Sequence, residues 1–344
     1  RLASHCPALS HHVPFQSASR ISSAVSCHWR ARRPCGRFLE IDAAKSVRIF
    51  NDFWLSLAHP DLPTYRGPPV SAVYFALMIN LAPLLVDKPW GVTRLPAPFV
   101  APQDRCIGEI WFEAASQEAV SPLLVKYLFT SEKLSIQVHP DDEQARARGH
   151  SSGKEECWYI LDAKPGACLG IGTIRPLGPS ELHAAALNGE LEQLIQWHPV
   201  QADMMFHIPP GTIHAIGPDI TLLEVQQASD ITYRLYDYGR PRELHLADGT
   251  AVADARPFPA HRQLLVDRTR SALLLEANNF KIAQITDDNR LIEVDQGENM
   301  LLVPIAGSIE VDGKQSAFGD CMLVQRKARF KLAPGSRALL AWSK

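Results

Sequence analysis

The stretch LSIQVHPDD, residues 134–142, decides which fold and which chemistry the chain is expected to have. In an extended strand successive side chains point to opposite faces, so Ser135, Gln137 and His139 share one face. The apolar residues between them share the other face. A solvated face would carry Thr, Lys or Glu, whereas an amide oxygen and an imidazole nitrogen that point into one space suit a metal ion. The stretch therefore predicts part of a metal site, completed by ligands from elsewhere in the chain.

Two further segments supply candidates for the missing ligands. In GKEECWYIL, residues 153–161, Glu156 shares a strand face with Trp158, so its carboxylate is not expected in bulk solvent. In FHIPPGTIHAIG, residues 206–217, a strand ends at Pro-Pro-Gly, and His214 follows a tight turn that Gly211 permits. Two nitrogen and two oxygen donors fit Zn²⁺, and Fe²⁺, Mn²⁺ or Co²⁺ accept similar sets. Spacing alone does not select the metal.

Each of these residues also has an ordinary structural explanation. His214 alone could be a hydrogen-bonded surface group, and Gln137 could cap a neighbouring strand. Glu156 could form an ion pair with Lys154 or with an arginine. Only the joint pattern, Q-x-H followed by a carboxylate and then by P-x-G-x-x-H, favours a metal site.

The chain after Met78 consists mostly of short apolar runs separated by Gly, Pro and Asp, which predicts a mainly β sandwich or barrel. Two stretches predict short helical insertions. In DDEQARARG, Asp141 and Gln144 have the spacing of a capping box. In PSELHAAALNGELEQLIQWHP, Ser180 is the expected N-cap and an Asn-Gly pair divides two helices.

A second series of alternating strands follows the Pro-rich connection ARPFPAHRQ, residues 255–263. We expect residues 78–258 to form a metal-binding catalytic domain and residues 259–344 to form a smaller all-β lobe. The last histidine of the chain is His261, so the strands of the second series offer no imidazole ligand. The expected role of this lobe is structural.

Residues 1–77 differ in composition from the rest of the chain. They hold nine Lys and Arg against four Asp and Glu, a net charge of +5 in a chain whose total is −2. An Arg-rich, Ser-rich and acid-poor start is typical of a transit peptide, but no Met precedes Met78. We expect a poorly ordered leader or extension outside the functional fold, with a transit peptide or a genuine extra segment as the alternatives.

Read as full strings, these motifs resemble the class I mannose-6-phosphate isomerases, in their short bacterial form, within the cupin superfamily. The resemblance covers Met78 to the C-terminus and rests on SIQVHPDDEQA, GKEECWYILDAKPGA, PPGTIHAIG and EVQQASDITYRLYDYGR, supported by DKPWG and GEIWFEA. Two positions depart from the family pattern: Glu155 stands where Thr is common, and Ala228 where Ser is frequent. Neither is a proposed ligand.

The resemblance implies a cupin jelly-roll (β-sandwich or barrel) catalytic domain with short helical insertions and a smaller C-terminal, cupin-like β lobe. It implies one Zn²⁺ per chain, at the positions of Gln137, His139, Glu156 and His214. The family interconverts mannose 6-phosphate and fructose 6-phosphate by moving a proton between C1 and C2. A non-catalytic cupin that binds a sugar phosphate and an Fe²⁺-dependent cupin oxygenase are the alternative functions.

The resemblance also implies roles for individual side chains. The residues expected to act on the substrate are, for catalysis, Arg234, Glu224 and Lys154 and, for substrate or phosphate binding, Lys126, Ser135 and Lys88. Glu224 is the expected base because it lies ten residues before Arg234, as the base does in the family. As alternatives, Glu224 could form a structural salt bridge with an arginine, and Arg234 could pair with Asp237 or Asp230.

Composition limits the expected partners. A net charge of −2 gives no basic field for nucleic acid, and no apolar run is long enough to span a membrane. The seven cysteines form no C-x-x-C pair, as expected of thiols in a reducing cytoplasm. We expect a cytoplasmic monomer or weak homo-oligomer with a small sugar phosphate as its substrate.

Overall fold

Strands dominate the computed structural model, which describes residues 78–113, 121–287, 299–325 and 330–344. The prediction of a mainly β fold is confirmed. The predicted leader, residues 1–77, lies outside the described residues. None of the helices within the described residues is both long and apolar enough to cross a bilayer.

The first part of the chain forms two sheets that face each other. Their strands, together with β1, are β1 (Met78–Asn80), β2 (Ala82–Val92), β3 (Ile107–Glu113), β4 (Leu123–Phe129), β5 (Ile136–Val138), β6 (Glu156–Ala163), β7 (Cys168–Thr173), β8 (Ile195–Pro199), β9 (Met204–Ile208), β10 (His214–Ile216), β11 (Ile220–Gln227), β12 (Tyr233–Tyr236) and β13 (Gln263–Leu265). As described, one sheet has seven strands in the order β13-β9-β6-β11-β4-β3-β2, and the other has five in the order β12-β5-β10-β7-β8.

Short helices connect these strands: α1 (Asp142–Arg146), α2 (Pro179–Asn188), α3 (Leu191–Leu194), α4 (Leu246–Val252) and a 3₁₀ turn (Ala260–Arg262). The capping box of α1 is confirmed, since the Asp141 side chain accepts from the backbone N–H of Gln144 and the Gln144 side chain accepts from the backbone N–H of Asp141. The expected N-cap of α2 is wrong. Gly178 is the N-cap, and Ser180 lies inside the helix because Pro179, whose φ angle already suits a helix, starts it.

The remaining strands build the C-terminal part. They are β14 (Ala272–Glu276), β15 (Phe280–Thr286), β16 (Asn299–Ala306), β17 (Ser308–Val311), β18 (Lys314–Ala317), β19 (Met322–Gln325), β20 (Phe330–Leu332) and β21 (Arg337–Ser343). Within the described ranges, six strands pair in the order β1-β19-β16-β21-β15-β14, and β18-β17-β20 form a smaller sheet.

Two short strands connect the two parts of the chain. Strand β1, from the start of the predicted catalytic domain, pairs with β19, whereas β13, from the start of the predicted C-terminal lobe, pairs with β9. The division at residues 258 and 259 stays a prediction.

The central strands of the seven-stranded sheet, β4, β6 and β11, are buried on both faces, and strand alternation decides which side chains each face presents. On β11, Leu223 and Val225 belong to a core shared with the C-terminal strands, for example with Leu339. Leu222, one residue away, packs instead with Leu169 of the five-stranded sheet. The face that carries Leu222 therefore lines the space between the two sheets of the first part, where the candidate site lies.

Candidate active site

Strand register brings four functional side chains of the seven-stranded sheet into one row. Trp111 on β3 pairs with Lys126 on β4, Lys126 pairs with Glu224 on β11, and Glu224 pairs with Trp158 on β6. Side chains that are directly opposite on neighbouring strands share a face and contact each other. The row therefore presents two charged and two aromatic side chains to the space between the sheets.

A second row lies on the five-stranded sheet. Gln137 on β5 pairs with Arg234 on β12 and with His214 on β10. The turn before β10 is tight, and Gly211 adopts a φ of +82°, which favours glycine. Strands β5, β10 and β12, which are far apart in the chain, thus bring Gln137, His214 and Arg234 together.

His139, Glu156 and His214 form a buried cluster that could hold a metal ion, with ligand atoms all within 4.8 Å of one another. His139 Nε2 lies 3.3 Å from Glu156 Oε1, and His214 Nε2 lies 3.7 Å from Glu156 Oε2. Neither carboxylate oxygen accepts a hydrogen bond of normal geometry from the described residues. Lys154 Nζ lies 2.7 Å from Oε1, but Oε2 forms no ion pair with a lysine or arginine in the described part of the chain. A buried carboxylate oxygen without such a partner is costly, so the cluster fits a divalent ion.

Backbone carbonyl groups orient both imidazole rings towards this cluster. Nδ1 of His139 lies 2.8 Å from the carbonyl oxygen of Ile231, and Nδ1 of His214 lies 2.8 Å from that of Thr212. A carbonyl only accepts, so each Nδ1 carries the proton and each Nε2 offers a lone pair to the cluster. Burial lowers the pKa of His139 to about 3 and lowers that of His214 as well, so both rings are neutral at pH 7, the state that binds metals.

Gln137 is close enough to be the fourth ligand. Its Nε2 lies 3.3 Å from Nε2 of His214, and its Oε1 accepts from Ser135 Oγ at 3.3 Å. A half-turn of the amide exchanges the NH₂ group and the oxygen without moving the side chain, which directs Oε1 at the cluster. All four predicted ligands are therefore together, and their role as ligands stays a prediction.

The ion pair considered as an alternative for Glu156 is also present. Lys154 Nζ lies 2.7 Å from Glu156 Oε1, and both side chains are buried. Burial raises the pKa of Glu156, but the charge of Lys154 and then the proximity of His139 outweigh burial and hold it well below its usual range. Glu156 is thus ionised, as a metal ligand must be.

A cavity of about 370 Å³ opens beside the cluster. The predicted site residues that line it are Lys88, Lys126, Ser135, Gln137, Lys154, Glu224 and Arg234. A volume of this size suits a small, polar ligand. The structure thus brings every predicted catalytic and substrate-binding residue to one space, next to the candidate metal centre.

Glu224 is held by two buried neighbours. The indole N–H of Trp158 donates to its Oε2 at 2.9 Å, and Lys126 Nζ lies 3.4 Å from its Oε1. Burial, and then the negative charge of Glu156, raise the pKa of Glu224, as a general base requires. Glu224 does form the salt bridge considered as its alternative, but with a lysine rather than an arginine, and it still faces the cavity.

Arg234 does not form the ion pairs considered as its alternative. Asp237 instead accepts from Arg242, at 2.6 and 2.7 Å. Arg234 donates to the backbone oxygen of Glu243 at 3.3 Å and has no ion pair with a carboxylate in the described part of the chain. Its guanidinium group is available to a ligand.

Sequence reasoning missed several residues that line the cavity. Glu109 forms an ion pair with Lys88 at 3.2 Å and accepts from the indole of Trp111 at 2.5 Å. Both lie in GEIWFEA, residues 108–114, where the Glu-x-Trp alternation signals one polar strand face. Arg242 and His245, in the loop after β12, also line the cavity. No local pattern singles them out.

The comparisons with known proteins identify relatives. No protein-family model matches the chain. The mannose-6-phosphate isomerase of Streptococcus mutans is 42% identical over 143 residues, which cover 40% of this chain and 45% of that protein. The mannose-6-phosphate isomerase ManA of Bacillus subtilis is 33% identical over 235 residues, 56% of this chain and 74% of that protein. The chain thus spans less than half of the first relative and about three quarters of the second.

Solved structures also match the chain. The mannose 6-phosphate isomerase of Bacillus subtilis has a TM-score of 0.61 and 24% identity, and the match covers 77% of this chain and 99% of that one. A mannose 6-phosphate isomerase bound with zinc and yttrium has a TM-score of 0.57 and 15% identity, and the match covers 78% of this chain and 99% of that one. At these identities the structures establish the fold.

Fold and site together define a cupin with a buried His-Glu-His centre that could hold a divalent metal ion. The predicted cupin fold is confirmed. Because ManA is 33% identical over 74% of its length, the chain belongs to the mannose-6-phosphate isomerase family.

Proposed function

We propose that the protein is a zinc-dependent mannose-6-phosphate isomerase that interconverts mannose 6-phosphate and fructose 6-phosphate. The observation that carries this proposal is the meeting of His139, Glu156 and His214 with a buried glutamate of raised pKa, Glu224, beside one cationic cavity. Family membership gives independent support.

Gln137, His139, Glu156 and His214 would hold one Zn²⁺ per chain, since neutral imidazoles and an amide or carboxylate oxygen suit this ion. A structural neighbour in the same family is bound with zinc. When bound, zinc supplies a Lewis acid and a template for the sugar oxygens.

Glu224 would move the proton between C1 and C2. A base must be ionised to accept this proton and must have a pKa near the working pH to release it again. Burial and Glu156 raise the pKa of Glu224, whereas the Trp158 indole and Lys126 stabilise its ionised form. The pKa of Glu224 is therefore raised by some neighbours and held down by others, which lets the carboxylate both accept the proton and release it.

Lys154 and Arg234 would stabilise negative charge that develops on the sugar oxygens. Burial would lower the pKa of Lys154, but Glu156 and Glu224 raise it, so the side chain remains an ammonium ion and not a base. Arg234 contributes a planar group that can contact two oxygens at once. Lys126, Ser135 and Lys88 line the cavity and are proposed to contact other substrate oxygens.

A cytoplasmic location and a monomer or weak homo-oligomer are proposed with this function. The buried thiols of Cys157 and Cys321 support a reducing compartment, because both are free.

A coupled assay that follows fructose 6-phosphate formation, with and without a chelator, tests the proposal. We expect isomerisation that the chelator abolishes and added zinc restores. Oxygen uptake would instead select the oxygenase, and a metal-loaded protein that binds the sugar phosphate without turnover would select the binding module. Glu224→Gln, with an unchanged zinc content, is the matched control for background activity.

A further inference from the structure

Two groups of cationic side chains line the cavity. Lys88 and Lys126 come from the seven-stranded sheet and form the lysine end, whereas Arg234 on β12 and Arg242 in the loop after it belong to the arginine end. The lysine end is already neutralised. Lys126 lies 3.4 Å from Glu224, and Lys88 lies 3.2 Å from Glu109. Each lysine there is matched by a carboxylate. A phosphate dianion at this end would meet two negative charges along with the two positive ones, so little net attraction would remain.

The arginine end, formed by Arg234, Arg242 and His245, carries a surplus of positive charge. Arg240 and Arg242 share Asp237, and Arg234 has no carboxylate partner among the described residues. Both guanidinium groups line the same cavity. Burial lowers the pKa of Arg234 and the charge of Arg242 lowers it further, against the weaker opposing effects of Asp237 and Glu243. Asp230 lines the cavity too, but forms no ion pair with them in the described part of the chain.

Arg242 is fixed before any ligand arrives. Its Nε and Nη2 donate to the two oxygens of the buried Asp237 at 2.6 and 2.7 Å. Two of its five N–H groups are used in this contact, which leaves three for a ligand in the cavity. A pre-positioned guanidinium loses little side-chain entropy on binding.

His245 adds a further hydrogen-bond donor at the same end. The backbone N–H of Arg234 donates to its Nδ1 at 3.2 Å, and the backbone N–H of His245 donates to the carbonyl oxygen of Arg234 at 2.8 Å. Since Nδ1 accepts a hydrogen bond, the ring proton is on Nε2. His245 lines the cavity, so this N–H is a donor for an oxygen ligand there.

We propose that Arg242 and His245, beside Arg234, bind the phosphate group of the substrate, and that the lysine end contacts its hydroxyl oxygens. The inference rests on the proposed function, which supplies a sugar phosphate as the ligand. It differs from the sequence prediction, in which Lys126, Ser135 and Lys88 were the phosphate contacts. The arrangement also makes Asp237 a positioning residue for Arg242.

The test uses the full-length, zinc-loaded protein and compares Arg242→Met with Arg240→Met and Lys88→Met. Arg240 is the matched control because it pairs with the same Asp237 but does not line the cavity. Two quantities are measured: the dissociation constant of inorganic phosphate by calorimetry at constant ionic strength, and kcat and KM for mannose 6-phosphate. For Arg242→Met we expect phosphate binding to weaken and KM to rise by about 10- to 100-fold, the loss of a charge-assisted hydrogen bond, with kcat changed less.

Arg242→Lys provides a second variant, milder for folding. It keeps the positive charge but loses the planar, two-pronged donor arrangement of the guanidinium group. We therefore expect a KM between those of the unmutated protein and Arg242→Met. A larger loss in Lys88→Met than in Arg242→Met, an equal loss in Arg240→Met, or an unmutated chain that binds no phosphate would overturn the inference. Loss of phosphate binding in Arg242→Met, in a protein with no isomerase activity, would contradict the proposed function and still support the phosphate site.

Discussion

Replacing Trp158 by Phe should move the acid limb of the pH–rate profile to higher pH. The Trp158 indole N–H donates to Glu224 Oε2 at 2.9 Å, and both side chains are buried. This hydrogen bond stabilises the ionised form of Glu224, the form that accepts a proton. Phe keeps most of the aromatic volume but has no donor.

The size of the expected pKa shift follows from the negative charge of the acceptor, the Glu224 carboxylate. A hydrogen bond to a charged group contributes roughly 1.5–3 kcal/mol, and one pKa unit corresponds to about 1.4 kcal/mol. Without the indole donor, the pKa of Glu224, which burial already raises, should rise by about one to two further units. A base is active when ionised, so kcat/KM should fall by about 10- to 100-fold at pH values below the original limb and change little on the plateau above the new one.

The assay is kcat/KM for mannose 6-phosphate between about pH 5 and 9, with zinc content and thermal unfolding measured for each protein. Zinc content is a necessary control, because Trp158 also contacts the ring of His214, with centroids 5.2 Å apart. Trp197→Phe is the comparison variant, since its indole lies outside the cavity and donates to the backbone oxygen of Glu192. An acid limb that stays in place, in a variant with normal zinc content, would refute the assignment of Glu224 as the base.

Three further changes test other parts of the structure. His214→Ala should reduce the zinc content from about one ion per chain to a small fraction. The loss even of an outer-shell partner lowers metal affinity by roughly 10- to 100-fold, so the loss of a ligand should do at least as much. Metal analysis of the purified chain checks this, and undiminished zinc would exclude His214 as a ligand. Glu224→Gln should lower kcat by about 10²- to 10⁴-fold with zinc retained, and a near-normal kcat would show that the base is elsewhere. Asp203→Asn should lower the free energy of unfolding at pH 7 by about 1–3 kcal/mol, because Asp203 is buried and accepts from Tyr159, Arg268 and Arg337. Burial raises the pKa of Asp203, but these hydrogen bonds outweigh it and lower the pKa, so the difference between the two proteins in urea unfolding should be full above about pH 4 and vanish as pH falls through the folded-state pKa.

The sequence predicted those features of the site that depend on local pattern. Alternation in LSIQVHPDD placed Ser135 and Gln137 on one face, and both line the cavity. The turn at Gly211 and the capping box at Asp141 are set by residues three or fewer positions apart. Such features depend on backbone geometry within one segment, and the residue types of that segment are enough to predict them.

Features that depend on strand pairing could not be predicted in the same way. Glu109 acquires a role because β3 pairs with β4, which places its neighbour Trp111 beside Lys126. Arg242 faces the cavity because Asp237, five residues earlier, holds its guanidinium group. The Glu-x-Trp alternation shows that Glu109 and Trp111 share a strand face, but not that this face meets Lys126, and no spacing marks Arg242.

Glu155, one of the two departures from the family pattern, also has contacts that the sequence alone does not reveal. Its side chain points away from the metal centre and accepts from His207, and from the backbone and side chain of Asn279 in the C-terminal part. Burial raises its pKa, but His207 and then Asn279 outweigh burial and lower it. The departure thus has a structural role, and it connects the site strand β6 to a segment 124 residues further along the chain.

The place at which the phosphate binds bears on how the proposed base can work. Glu224 already has a raised pKa, through burial and the charge of Glu156. A phosphate dianion bound by Lys126, 3.4 Å from the Glu224 carboxylate, would add two further negative charges beside it. Like charges that share one lysine disfavour ionisation, so the substrate would raise the pKa of the base that must act on it. Binding at Arg242 and His245 avoids this conflict, because the dianion is then neutralised by the guanidinium groups, while Lys126 remains available to keep Glu224 ionised.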